Sequence, residues 1–418
     1  MIRDYLIKEE DFQTIQHLIP GPEPTLGLSP GGPRLREAIP VADVVLDGNE
    51  LKYLTQCVQG NWISSAGPFV PEFERRFAAA MGCEYGVACA SGTVALHLAL
   101  AALGVGPGDE VIIPAFTMIA TINAVTYTGA AAVLVDSHHE TWNIDEAQIE
   151  AKITDRTRAI IVVHTYGNPA QMDRITQLAR HRNLYVIEDA AEAHGAQFRG
   201  RPVGSLGDIA CFSFYANKII ATGEGGMLTT NNPEIATVAR NLKDHSFSTE
   251  RHFWHQRLGF NYRMTNLQAA VGLAQTERLD KLVEKRISTA ARYRDLLSNI
   301  KGLTLPPNRP TIQKKDQRYV QDESQNNDKN VYWMFGLLVE KEFGCSRDEL
   351  RAFLANAGIE TRTFFIPIHL QPIYFETYRG QRYPIAEALC QKGMYLPSGP
   401  GLTDAEIQYI AKTIERAP

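Results

Sequence analysis

The stretch Leu184-Tyr185-Val186-Ile187-Glu188-Asp189-Ala190 and its successor Ile209-Ala210-Cys211-Phe212-Ser213-Phe214-Tyr215-Ala216-Asn217-Lys218 decide how this chain folds. Each is an apolar run of strand length that ends on acidic, hydroxyl or amine side chains. Working outward, runs of the same kind stand at 86–90, 110–114, 131–136, 159–164 and 226–230. Helical patterns fill most of the gaps, at 93–103, 117–127, 171–182 and 233–243. Buried strands alternating with helices of this length predict an α/β architecture with a mostly parallel seven-stranded sheet covered on both faces.

At 418 residues the chain exceeds what one hydrophobic core usually supports, so two unequal domains are expected. We assign the large one to 39–280 and a smaller C-terminal α+β domain to 281–418. Residues 1–38, rich in proline and glycine from Pro20 to Pro33, read as an irregular extension. A long helix over 266–297 leads out of the large unit. A strand at 331–339, a helix at 346–357 and a last helix from Thr403 follow. The polar stretch 306–330 reads as a surface loop.

The net charge of −5 argues against nucleic acid or an anionic membrane as a partner. The six cysteines are scattered without a C-x-x-C pair, residues 1–10 are too charged for a secretory segment, and no apolar run spans a membrane. A cytoplasmic location is expected.

An acid at one strand tip and a lysine at the next is the pairing that pyridoxal phosphate (PLP) chemistry requires. Lys218 can hold an aldehyde as a Schiff base, and Asp189 can keep a pyridine nitrogen protonated so that the ring acts as an electron sink. Taken alone, Asp189 is equally a solvated strand-end carboxylate or a helix cap. Its surroundings sharpen the reading. Ala90-Ser91-Gly92-Thr93-Val94 closes a strand and opens a helix, where small residues let N–H groups and a hydroxyl meet a phosphate. By itself Ser91 or Thr93 is an N-cap. Ser213 adds a hydroxyl at another strand end and makes a phosphate cup of Ser91, Gly92, Thr93 and Ser213. Glu188, Asp189 and Glu192 form an acidic cluster that is costly in a closed site unless a cation, such as a pyridinium, is present. Glu192 then falls near the cofactor's phenolate edge or the substrate.

Other chemistries lack their signatures. No G-x-G-x-x-G opens the first strand–helix turn, no G-x-S-x-G elbow joins a strand to a helix, and His138-His139 and the set His252, His255 lack metal-ligand spacing. No metal site is expected.

These residues resemble the DegT/DnrJ/EryC1/StrS group of PLP-dependent sugar aminotransferases, within the fold type I superfamily. The resemblance runs from about Ile39 to the C-terminus. It is carried by Asn61-Trp62-Ile63-Ser64-Ser65-Ala66-Gly67-Pro68, by Ser91-Gly92-Thr93 and by Pro107-Gly108-Asp109-Glu110-Val111. Further carriers are Glu188-Asp189-Ala190-Ala191-Glu192-Ala193, Gly204-Ser205-Leu206-Gly207-Asp208, and Lys218 with Thr222-Gly223-Glu224-Gly225-Gly226. Gly259-Phe260-Asn261-Tyr262-Arg263-Met264-Thr265-Asn266 completes the set. Arg251-His252-Phe253-Trp254-His255, Val331-Tyr332-Trp333-Met334-Phe335 and Phe364-Phe365-Ile366-Pro367-Ile368-His369 are similar to the branch that aminates a GDP-linked sugar.

The resemblance implies a fold type I transferase that uses PLP, takes its amino group from L-glutamate and passes it to a nucleotide-linked 4-keto-6-deoxy sugar. GDP-4-keto-6-deoxymannose is the foremost acceptor; a dTDP- or UDP-linked keto sugar or a keto-cyclitol is the alternative. It implies that Lys218 links the cofactor and moves the proton, that Asp189 pairs with the ring nitrogen, and that Gly92, Thr93 and Ser213 hold the phosphate. Asn261 would reach in to that phosphate from a neighbouring subunit, Arg263 would meet the donor carboxylate, and His369 would touch the sugar across a homodimer with shared sites. Trp62 and Ser64 fall on the substrate side. Where many relatives set an aromatic ring against the cofactor, this chain has Met118, whose thioether can also cover a ring. Relatives that remove a hydroxyl carry histidine in place of Lys218, so the lysine favours transamination. A non-catalytic PLP-binding sensor is the rival class, and the intact set of Lys218, Asp189 and Arg263 counts against it.

Overall fold

The structure is a computed structural model that describes residues 7–27, 37–307 apart from Thr249, His252 and Gln256, and 327–418. Seven strands form the main sheet: β1 (Tyr85–Cys89), β2 (Glu110–Pro114), β3 (Ala131–Val135), β4 (Thr157–Val163), β5 (Tyr185–Asp189), β6 (Ile209–Ser213) and β7 (Gly226–Thr230). Their order is β1-β7-β6-β5-β4-β2-β3. Strands β3, β2, β4, β5 and β6 pair in parallel, and β7 runs against both β6 and β1. The expected runs become strands because β2, β4 and β6 are buried along nearly their whole length, which only a sheet covered on both faces permits.

Two helices that the sequence reading left unassigned, Glu50–Gln59 and Phe69–Ala80, complete the cover. Phe73 and Phe77 of the second are fully buried, with Phe77 edge-on to Phe212 and Phe214 at 4.9 and 5.0 Å between ring centroids. Helix Asn266–Thr276 lies against Phe69–Ala80 at Gly272, where a Cβ would meet the Phe73 ring at 2.5 Å.

A four-stranded antiparallel sheet follows, in the order Leu303–Thr304, Phe335–Val339, Gly393–Leu396, Arg362–Thr363. Its core gathers Tyr293, Leu337, Leu350, Ile359 and Ile410, separate from the core of the main sheet. Capping boxes start two of its helices: Ser346 with Glu349 opens Arg347–Asn356, and Thr403 with Glu406 opens Asp404–Glu415.

Several expectations change in detail. The helix expected over 266–297 is two helices, Asn266–Thr276 and Leu279–Leu297. The break is tied from outside: Glu277 accepts hydrogen bonds from Asn49 Nδ2 and Tyr53 Oη, and Arg278 pairs with Asp47. The strand expected over 331–339 begins at Phe335, because 331–334 turn inward over the main sheet. Within 1–38, the described part is not wholly irregular: Glu9–Ile15 is a helix, and Ile15 and Leu18 pack on Leu370 and Phe375. Asp11 pairs with both amino groups of Arg379, at 2.7 and 2.8 Å. These partners lie more than three hundred residues away, out of reach of local pattern. The loop expected at 306–330 falls mostly outside the described residues.

Candidate active site

The carboxyl ends of β4, β5 and β6 open into a cavity of ≈ 380 Å³, the place where ligands bind in open α/β sheets. Val163, Asp189 and Ser213, the last residues of those strands, all line it.

One wall is the start of helix Gly92–Ala102. Ser91 is its N-cap, with Oγ accepting from Val94 N at 3.3 Å. The remaining first-turn N–H groups, which no helix can satisfy internally, make up the positive end of the helix. Gly92 is required there: a Cβ would meet Ser213 Cβ at 2.7 Å, so only glycine brings the helix end against the tip of β6. Gly226 plays the same part from β7, where a Cβ would strike the Ser91 carbonyl. Ser91, Gly92, Thr93 and Ser213 thus meet in one cup with three hydroxyls at a helix N-terminus, a donor set that suits a phosphate.

The opposite wall carries the titratable groups. Asp189 is buried; its Oδ2 accepts from Thr121 Oγ1 at 2.9 Å and its Oδ1 from Ala191 N at 3.3 Å. Burial pushes its carboxyl upward against the pull of those donors and of Lys218. Glu192 Oε2 accepts from Tyr166 N at 2.7 Å, and its Oε1 lies 3.9 Å from Lys218 Nζ. Burial raises Glu192 to about 7, with Lys218 opposing. Burial also lowers Lys218, against the attraction of Glu192 and Asp189. The site thus holds two buried carboxyls and one amine, with room for one further cation beside Asp189.

The acidic cluster read from the sequence is divided by the pleat. Successive side chains of β5 point to opposite faces, so Glu188 leaves the cavity. It is fully buried under it, 3.1 Å from His164 Nε2, and accepts from Gly204 N, Leu206 N and Gly207 N at 3.0, 2.8 and 2.8 Å. His164 foremost, and with it the Gly204 and Gly207 N–H groups, hold it below the usual carboxylate range despite its burial.

Met118 lines the cavity, half-exposed, at the cap of helix Ile119–Thr128. Trp62 and Ser64 do not. Trp62 is half-exposed beside a separate pocket with Cys57 and Asn266, and Asn266 ties down the loop by donating to Trp62 O at 2.9 Å and to Ser64 O at 2.6 Å. Asn261 is exposed, on a segment bridged to Asp244, and Arg263 is ion-paired with Asp244. His369 lies in the interior of its own chain. The side chain is buried, Nε2 lies 3.1 Å from Glu387 Oε1 and the ring packs on Tyr383. His138 and His139 stack on each other, His252 lies outside the described residues, and among the described residues no group of three His, Cys, Asp or Glu could hold a metal.

The structure adds residues that the sequence reading did not single out for the site: Thr121, Tyr215, Asn217, Trp333, Phe365 and Tyr395. The last three come from beyond residue 330 and close the cavity from the side of the second sheet. Only the position of Thr121 on the helix after β2 could have been read as a signal.

The cup, the buried carboxyl and the buried amine together fit PLP: phosphate at the helix end, ring nitrogen at Asp189, aldehyde at Lys218. Comparison with known proteins gives the same answer. The chain is 43% identical to GDP-perosamine synthase of Escherichia coli O157:H7 over 90% of its own length and 97% of that protein. It is 44% identical to GDP-perosamine synthase of Caulobacter vibrioides, over 90% and 98%. The crystal structure of S. venezuelae DesV, in complex with a ketimine intermediate, superposes with a TM-score of 0.79 at 34% identity, covering 88% of this chain and 93% of that one. Residues 45–415 match the sequence pattern shared by the DegT/DnrJ/EryC1/StrS proteins. The chain belongs to the DegT/DnrJ/EryC1/StrS aminotransferase family, as a PLP-dependent enzyme of fold type I.

Proposed function

We propose that this enzyme moves the amino group of L-glutamate to the C4 keto group of a GDP-linked 4-keto-6-deoxy sugar, GDP-4-keto-6-deoxymannose, to give GDP-perosamine. The convergence of Lys218, Asp189 and the Ser91–Ser213 cup in one cavity carries the aminotransfer chemistry. The names of the E. coli and Caulobacter relatives support the acceptor.

When bound, PLP supplies an aldehyde that links amines and a ring that takes up the electron pair left by a departing proton. Ser91, Gly92, Thr93 and Ser213 grip the phosphate and fix the ring's position. Asp189, held by Thr121 and Ala191, keeps a negative charge against the ring nitrogen and so keeps that nitrogen protonated. Lys218 would hold the cofactor's aldehyde, and with its Nζ free it would take the proton from the donor's α-carbon and pass it to the cofactor carbon on the far side of the nitrogen. Glu192 stands 3.9 Å from that amine and limits where it can move. In the second half-reaction Lys218 works in reverse on the C4 of the sugar, which gives ping-pong kinetics.

We further propose a homodimer with shared sites. The exposed placing of Asn261, Trp62 and Ser64 supports it, since side chains outside their own cavity are free to serve a neighbour's. We place the two domains at 39–280 and 281–418, which the separate cores favour, and the enzyme in the cytoplasm, in keeping with cysteines that form no disulfide among the described residues. Among those residues no helix is long and apolar enough to cross a membrane.

The test is to aminate the enzyme with glutamate, remove the excess and offer GDP-, dTDP- and UDP-linked 4-keto-6-deoxy sugars separately. Return of the lysine-bound visible spectrum with the GDP sugar alone is expected. Return with another nucleotide would move the acceptor; no spectral change with glutamate would sink the donor.

A further inference from the structure

Trp333 belongs to a segment picked out in the sequence, Val331–Phe335 by number 331–335, to which the reaction as derived gives no task. Its indole is 3% exposed and lines the cavity. Lys218 Nζ stands 3.8 Å from the centre of its ring. Its Nε1 donates to Asn217 O at 2.8 Å. One side chain therefore holds the turn that carries Lys218 and faces the amine at the tip of that lysine.

The indole is fixed from behind. Trp333 O accepts from buried Arg286 Nη1 at 2.5 Å, and Tyr166 stacks on the ring at 6.2 Å and 27°. Gly167, at φ +93°, leaves room for the chain there: a Cβ would lie 3.0 Å from Trp333 N. Tyr166 in turn donates its N–H to Glu192, so Trp333 touches the lysine directly and the group opposite it through one neighbour. The charged and titratable groups around Lys218 are Glu192, Asp189, His194 and Arg286, with Tyr215, Glu224 and Tyr395 on the cavity wall. Among these, the indole face attracts an ammonium without taking its proton, because its negative quadrupole is not a base.

We propose that Trp333 is a positioning residue that seats the Lys218 ammonium whenever the lysine is not covalently engaged, returning it to one place between proton transfers. The second sheet thereby supplies part of the catalytic geometry. The inference rests on the role given to Lys218 above, not on which sugar is the acceptor.

The test uses the full-length protein loaded with pyridoxamine phosphate, which cannot link to Lys218. It is pulsed with trace acetic anhydride over a pH series, and acetylation of the Lys218 peptide is measured by mass spectrometry with exposed lysines as standards. Trp333→Leu should lower the labelling midpoint by about one pH unit, and Trp333→Phe by less, because a benzene ring keeps part of the attraction. An unmoved midpoint in Trp333→Leu, or equal shifts in the two variants, would overturn the proposal. Should Trp333→Leu fail to fold, Trp333→Phe decides alone, and an unmoved midpoint there overturns it. No donor or sugar is present, so a wrong acceptor leaves this result intact. Failure of the wild type to take up pyridoxamine phosphate would overturn the cofactor reading as well.

Discussion

Two groups of residues, both drawn from family motifs, meet opposite fates in this molecule. Ser91, Gly92, Thr93, Asp189, Glu192, Ser213 and Lys218 sit at the ends of neighbouring strands or on the turns leaving them, and they meet in one cavity. Trp62, Ser64, Asn261 and Arg263 lie on extended segments pinned by Asn266 and Asp244, outside it. The first group is fixed by the register of a single sheet, so one chain suffices to assemble it. The second is held rigidly by its own contacts and is still not aimed at the cavity. One chain thus assembles the cavity that holds Lys218 and Asp189, and the homodimer proposed above would bring Trp62, Ser64, Asn261 and Arg263 to a neighbour's cavity.

Breaking the first group should have the largest effect. Lys218→Ala should lower turnover by about 10⁴-fold or more, since it removes both the covalent link and the proton carrier; single-turnover rates near those of the wild type would refute the assignment. Next comes Asp189→Asn, expected to slow the proton-transfer step by roughly 10²–10³-fold with the cofactor still bound, because a neutral amide no longer holds the ring nitrogen protonated. Stopped-flow absorbance with glutamate measures it.

Mixing inactive variants sharpens the comparison. Refolded together in equal amounts, Lys218→Ala and Arg263→Ala should recover about a quarter of wild-type activity if Arg263 serves the partner's cavity, since half the dimers are mixed and each mixed dimer has one intact site. No recovery would place Arg263 in the service of its own chain.

The smallest effect lies beneath the cavity. His194 is enclosed by Phe77, Phe212 and Phe214, and burial, with a lesser push from Lys218, lowers it to about 3. A depressed folded-state value means that its contribution to stability is present above the unfolded value of 6.5 and lost as pH falls toward 3. Between pH 7.5 and 5.5 the wild type should therefore lose about 1.4 kcal/mol that His194→Leu does not lose. Denaturant melts at the two pH values measure the difference, and equal losses in both proteins would show that the imidazole is solvated.

The strand–helix alternation, the strand-end placing of Asp189 and Lys218, and the glycine at the start of helix Gly92–Ala102 were legible in the sequence, because each rests on local periodicity or on a backbone position that admits only a small residue. Reading Glu188 and Glu192 as one cluster failed for a local reason as well: the pleat sends Glu188 to the other face, toward His164. The break between Thr276 and Leu279, the docking of Asp11 on Arg379, the sealing of His369 against Glu387 and the placing of Trp333 over Lys218 were not legible. Each joins residues of different elements, most of them far apart in the chain, and composition or spacing carries no record of such a contact. The sequence by itself determined the layered α/β sheet and the reacting pair at its edge, because strand register follows from hydrophobic pattern. Only the tertiary structure decided which side chains share that edge, because burial and long-range pairing are set by packing among elements and not within them.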